Sequence, residues 1–351
     1  MAHVMTVRGP VDPEALGMVL THEHLFVDAR DRWDPSDLPD PILGEAPFTA
    51  ELGAWSRWSW RAFRESLHQS PDTDYELVRD EVAAFQRAGG GTVVELTIGG
   101  LNPAPLALRR LAEELDLHIV AGAGWYTADM HPAWIAEADV ETLTERLLAD
   151  VTEGIDGTDI RPGIIGELGT SEELHPDEER VLRAGARVAR RTGLPINLHC
   201  HPPALAVVMR ILDVLEEEGH DLARTSLSHL DEIGDLDYHE AVLRRGVITG
   251  FDSFGHDGGY FSPGWRARSD LDKMRTLAEL VERGWEDRLV VSHDMHRKHF
   301  LARFGGFGYD HVPLRIVPRL RSEFGLTDAV LDKLLVSTPR RLLTIAEPVE
   351  G

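Results

Sequence analysis

Residues able to bind metal recur in this chain at the ends of short apolar runs. They are His22 and His24 in VLTHEHLF, Glu167 in IIGELG, His199 in INLHC, His229 in RTSLSHLD and Asp294 in VVSHDM. Alternate residues of an extended strand share a face, so His22 and His24 project together and both imidazoles can reach one cation. A lone HxH is as readily a pair of hydrogen-bonded core histidines. The recurrence decides between the two. Burying such groups among Ile, Leu and Val without partners costs on the order of several kcal/mol each, and a metal removes that cost. Four histidines and two carboxylates suit zinc, with manganese, cobalt or iron also compatible. They are too many for one tetrahedral ion, whereas two divalent ions sharing Glu167 as a bridge accommodate them all, with a hydroxide as the second bridge. Two such ions about 3.5–4 Å apart lower the pKa of a bridging water toward ~7, which makes a nucleophile for a carbonyl carbon. Asp294 is placed to hold that nucleophile and take its proton.

Groups so far apart in sequence meet only if the elements carrying them converge. Eight runs rich in Val and Ile read as buried parallel strands: MVLTHEHLF from Met18, GTVVELTI from Gly91, HIVAGAGWY from His118, PGIIGELGT from Pro162, PINLHCH from Pro195, RTSLSHLD from Arg224, VITGFDSF from Val247 and RLVVSHDM from Arg288. Stretches of helical period lie between them, among them YELVRDEVAAFQRAGG and DEERVLRAGARVARRTG, several ending in Gly where a left-handed cap is expected. No GxGxxG opens a helix, so a closed (β/α)8 TIM-type barrel is favoured over a doubly wound sheet. The C-terminal ends of its strands converge on one face, which is where the metal site belongs. The expectation is one metal-dependent hydrolase barrel over residues 1–351 with two departures from the repeat. Residues 28–74 form an insertion after strand one that carries Trp33, Trp55, Trp58 and Trp60; it is either a lid or subunit contact, or an extra helix ELGAWSRWSWRAFRESL on the barrel flank. Residues 296–320, after strand eight, are Gly-rich and lie where barrels build substrate loops.

Composition narrows the partners. The chain has 351 residues, enough for a large core, and its 60 acidic residues against 36 basic ones give a net charge of −24. Such a surface repels nucleic acid and anionic lipid. No 18-residue apolar stretch and no charged leader followed by an apolar run occur, so a cytoplasmic protein acting on a small molecule is expected. The one cysteine, Cys200, rules out an intrachain disulfide and points away from the strand face of His199.

The residues resemble the phosphotriesterase family of the amidohydrolase superfamily, in its phosphotriesterase-related branch. The likeness runs through TVRGPVDPEALGMVLTHEH, AGAGWY, GIIGELGT, INLHCH, LSHLDE, GFDSFG, VVSHDM, GGFGYDHVPLRIVPRL and LVSTPRRLL. The resemblance implies that His22, His24 and Asp294 bind the more buried ion and His199 and His229 the more exposed one. Glu167 stands where many members carry a carboxylated lysine. It supplies the same single negative charge with a different bridge length, which points away from phosphotriesters. It also implies a proton relay at Asp231 or Glu232, and a site-lining role for Tyr126. A homodimer is a further expectation drawn from it.

Cations near the mouth of an acidic barrel suggest a grip on an anionic substrate, with Lys298 and Tyr309 foremost, Arg297 beside them and Lys273 weaker. The plain alternative is loop cations neutralising nearby acids. His201 shares a face with His199 and reads as a supporting histidine; His293, His296 and His299 stay unassigned. The leading expectation is hydrolysis of a lactone or carboxylic ester. Amide hydrolysis of N-acylated amines or amino acids is the alternative, followed by phosphotriester hydrolysis or a non-catalytic metal-binding barrel.

Overall fold

The computed structural model describes residues 2–33, 44–56, 63–200, 204–257, 260–262 and 265–345. Eight parallel strands in chain order curl nearly into a closed barrel. They are β1 Met18–Glu23, β2 Gly90–Glu95, β3 His118–Ala123, β4 Ile164–Thr170, β5 Ile196–Cys200, β6 Thr225–Leu227, β7 Ile248–Phe251 and β8 Leu289–Val291. All eight runs expected from the sequence form strands. Three stop short of residues that matter: β1 ends one residue before His24, β6 before His229 and β8 before Asp294.

The intervening helices cover the outside of the barrel. The longer ones are α1 Tyr75–Arg87, α2 Pro105–Leu115, α3 Val140–Thr152, α4 Pro176–Thr192, α5 Leu205–Glu217, α6 Leu236–Leu243 and α7 Asp270–Glu282. Helix α4 shows how sequence sets their limits. His175 caps its start and Glu178 bonds back to the cap, Pro176 occupies the first turn, and Gly193 ends it at φ 74°. In α1 the buried face is Val78, Val82 and Phe85, each side chain stabilising the fold by roughly 1.5–3 kcal/mol through burial.

Among the described residues no ladder joins β1 to β8, and side chains close that seam. The His22 N–H donates to Ser292 Oγ at 3.0 Å and the Asp294 N–H to the His22 carbonyl at 3.0 Å. Glu23, between the two histidines and on the opposite face, accepts from Ser292 Oγ at 2.7 Å, from the backbone and Nδ1 of His293 at 3.0 and 2.8 Å, and from the Met295 N–H at 3.0 Å. A fully buried carboxylate is tolerable only with such a set of donors.

In the insertion, Val27–Asp28 pairs antiparallel with His68–Gln69, which pins its two ends together. Helical turns occur at Ala50–Ser56 and Arg64–Leu67; Trp58 and Trp60 lie outside the described residues. A side chain at Gly53 would collide with the Phe304 carbonyl, and the Phe48 ring lies 5.1 Å from that of Phe304. The insertion therefore leans on the loop that follows β8. Among the described residues no helix is long and apolar enough to cross a membrane.

Candidate metal centre

The barrel brings His22, His24, Glu167, His199, His229 and Asp294 into one buried cluster. β1 delivers His22, and His24 one residue past its end; β4 and β5 deliver Glu167 and His199. His229 and Asp294 arrive differently. Each lies past its strand in the left-handed region, at φ 63° and 55°, which non-glycine residues enter rarely, though histidine and aspartate more often than most.

Glu167 is the centre of the arrangement. Its Oε2 lies 3.1 Å from His199 Nδ1, 3.5 Å from His22 Nε2 and 3.7 Å from His229 Nε2, while Oε1 lies 3.3 Å from His24 Nε2. Asp294 Oδ1 is 3.3 Å from His24 Nε2 and 3.7 Å from His22 Nε2. Donor atoms about 2.0–2.1 Å from one tetrahedral ion stand roughly 3.3 Å from each other, so these separations are those of ligands around a cation.

The outer nitrogens show the same design. His22 Nδ1 meets Ser228 Oγ at 2.8 Å and Asp252 Oδ2 at 3.1 Å, which leaves its buried Nε2, aimed into the cluster, with no hydrogen-bond partner among the described residues. His24 Nδ1 is held by Thr97 Oγ1 at 3.0 Å, and His229 Nδ1 by Asp252 Oδ1 at 3.1 Å. His199 Nδ1 and His229 Nε2 face each other at 3.1 Å, a placement that suits two lone pairs directed at a shared cation. The residues fit a metal.

Charge points the same way. Burial opposes a charge on His22, yet Glu167 and Asp252 outweigh it and push its pKa up to about 10. His24, against the same penalty, is pushed up to about 9 by Asp294 and Glu167. Burial would raise Glu167, but His22 and His199 hold it well below the usual carboxylate range. Burial also opposes the charge of Asp294, which His296 and His24 hold well below that range. Buried carboxylates here demand positive charge, from protons or from cations.

Tyr126, just past β3, places its hydroxyl 3.2 and 3.3 Å from the two ring nitrogens of His199. Gly169 makes room for it: a side chain there would overlap the Tyr126 carbonyl carbon. Other expectations are corrected. Asp231 and Glu232 do not turn toward Asp294. Asp231 accepts from the backbone and hydroxyl of Ser253 at 3.0 and 2.8 Å, and Glu232 pairs with Lys273 at 2.8 Å and accepts from the Arg268 N–H at 2.7 Å. Lys273 is itself fully buried there and cannot meet substrate. Lys298 pairs with Asp74 of the insertion at 2.9 Å. Tyr309 is fully buried and donates to the His24 carbonyl at 2.9 Å, supporting the end of β1 rather than reaching the mouth. Arg297 is buried as well.

The unassigned histidines find places. His293 faces away from Asp294 and bonds Glu23 and the Val312 N–H, His296 Nδ1 contacts the Asp294 carboxylate at 3.0 Å, and His299 meets Ser66 at 2.9 Å. Cys200 is buried, and burial pushes its thiol up to about 12. His201 lies outside the described residues.

Sequence reasoning missed Asp252, directly after β7, which holds the outer nitrogens of both His22 and His229. Its position at a strand end, in GFDSFG, was the available signal. Asp252→Ala should lower metal affinity 10–100-fold, because both rings lose the partner that fixes their orientation. Competition with a chelator measures this, and affinity within about twofold of wild type would show that the rings are held by other means.

Comparison with known proteins agrees with this site. The model of the phosphotriesterase family matches residues 2–343. An N-acetyltaurine hydrolase of Tetraodon nigroviridis is 38% identical over 346 residues, 97% of each chain. Among solved structures, a resiniferatoxin-binding protein from Rhodobacter sphaeroides is 37% identical with a TM-score of 0.92, covering 97% of this chain and 94% of that one. The phosphotriesterase homology protein from Escherichia coli is 26% identical with a TM-score of 0.78, covering 95% and 100%. With a cluster able to hold metal at the mouth of its barrel, the chain is a metal-dependent hydrolase and belongs to the phosphotriesterase family.

Proposed function

We propose that this chain hydrolyses the amide bond of a short N-acylated amine whose far end carries an anion, a substrate of the N-acetyltaurine type. The geometric support is the gathering of Glu167 and Asp294 against four inward-facing histidines beneath the Tyr126 hydroxyl. The choice of amide rests on relatives that match 97% of the chain and are named for that substrate. A lactone or ester, the first expectation from the sequence, becomes the second reading.

His22, His24 and Asp294 would hold one divalent ion and His199 and His229 another, with Glu167 shared between them; zinc is favoured by the histidine-rich donors. When bound, such ions polarise a carbonyl and make water a nucleophile near neutral pH. Asp294 accepts the proton of the attacking water at its carboxylate. That proton then passes to the amide nitrogen, which an amine leaving group requires more than an alcohol does. The Tyr126 hydroxyl orients the acyl end by hydrogen bonding beside His199. Asp252, Thr97 and Ser228 keep the histidine lone pairs directed inward.

The test is turnover of zinc- and manganese-loaded protein on N-acetyltaurine, an N-acetyl amino acid, a charged lactone and an aryl phosphotriester. The N-acyl anionic amides are expected to lead in kcat/KM by at least about tenfold. Fastest turnover of the lactone or the phosphotriester would replace the amide reading.

A further inference from the structure

Lys298 and Lys273 are engaged with carboxylates, and among the described residues Arg32 is a guanidinium beside Tyr126. It lies at the start of the insertion with its side chain 22% exposed, and its guanidinium carbon stands 5.0 Å from the centre of the Tyr126 ring. Nη2 donates to Thr127 Oγ1 at 2.8 Å. The Nε–H is buried and, among the described residues, has no acceptor. The same Tyr126 ring lies 4.7 Å, centre to centre, from that of His199. Arg32 and the Glu167, His199 and His229 group thus share one aromatic neighbour.

A buried guanidinium N–H without an acceptor is costly, and an arriving anion recovers that cost. The guanidinium is a planar fork of N–H donors, which two oxygens of a sulfonate or carboxylate accept in parallel. Asp129 is a weak competitor, 3.6 Å away and 63% exposed.

We propose that Arg32, which shares Tyr126 as a neighbour with the histidine cluster, grips the anionic sulfonate or carboxylate end of the substrate and sets the preference for anionic over neutral amides. This rests on the amide reading above for its substrate, but not for its test. Wild type, Arg32→Gln and Arg32→Lys are compared on N-acetyltaurine, N-acetyl-β-alanine and neutral N-acetylethanolamine, and calorimetry measures the binding of propane-1-sulfonate, which needs no turnover. In Arg32→Gln the anionic-to-neutral ratio of kcat/KM should fall roughly 10–150-fold, mostly through KM, for sulfonate and carboxylate alike. Sulfonate affinity should fall at least about tenfold, and Arg32→Lys should recover part of both losses. If wild type cleaves none of the amides, the amide reading fails while calorimetry still decides the role of Arg32. Equal sulfonate affinity in wild type and both variants overturns the proposal, whatever the turnover.

Discussion

Asp294→Asn should lower kcat by roughly 10²–10⁴ while leaving much of the bound metal in place. The substitution keeps an oxygen of the same shape beside His22 and His24 but removes the group that accepts the proton of water. The backbone should not suffer, because Asp294 sits at φ 55° and asparagine is among the residues that tolerate that region best. Loss of rate without loss of fold or metal is therefore the signature. Steady-state kinetics with metal analysis of the same preparation reads it directly. Activity within about threefold of wild type would reduce Asp294 to a ligand.

Glu167→Ala should empty the site. The wild type is expected to carry close to two divalent ions per chain and the variant well under one. Both carboxylate oxygens contact histidines, Oε2 facing His199, His229 and His22 and Oε1 facing His24. Removing them leaves neither group of ligands a shared negative charge, and places four imidazoles around a void. Elemental analysis of the two purified proteins is sufficient. A single tight ion in wild type, retained in the variant, would refute the dinuclear arrangement.

The strands were legible because fully buried parallel strands must be apolar along their whole length, and polar residues at their ends stand out against that background. This is how His22, His24, Glu167, His199, His229 and Asp294 came to notice. Strand alternation was only half the reason they meet, since His229 and Asp294 depend on left-handed turns that no period reveals. Asp252 obeys the same strand-end rule and was overlooked because it orients other ligands instead of facing the cluster. The residues expected to grip substrate differ for another reason. A sequence shows that Lys298 follows the eighth strand, but not that Asp74 of the distant insertion neutralises it, nor that Tyr309 is spent on the His24 carbonyl. Pairings of that kind are set by the tertiary fold.

The side-chain seam between the first and last strands has a bearing on how the protein is made. Glu23 and the His293 ring it holds are 270 residues apart, and at about 5–20 residues per second the ribosome needs roughly 15–50 s to deliver the second after the first. Throughout that interval the nascent first strand presents two histidines and a carboxylate with no counterpart to seal against. The barrel cannot close, and the cation site cannot be completed, until translation has passed Asp294.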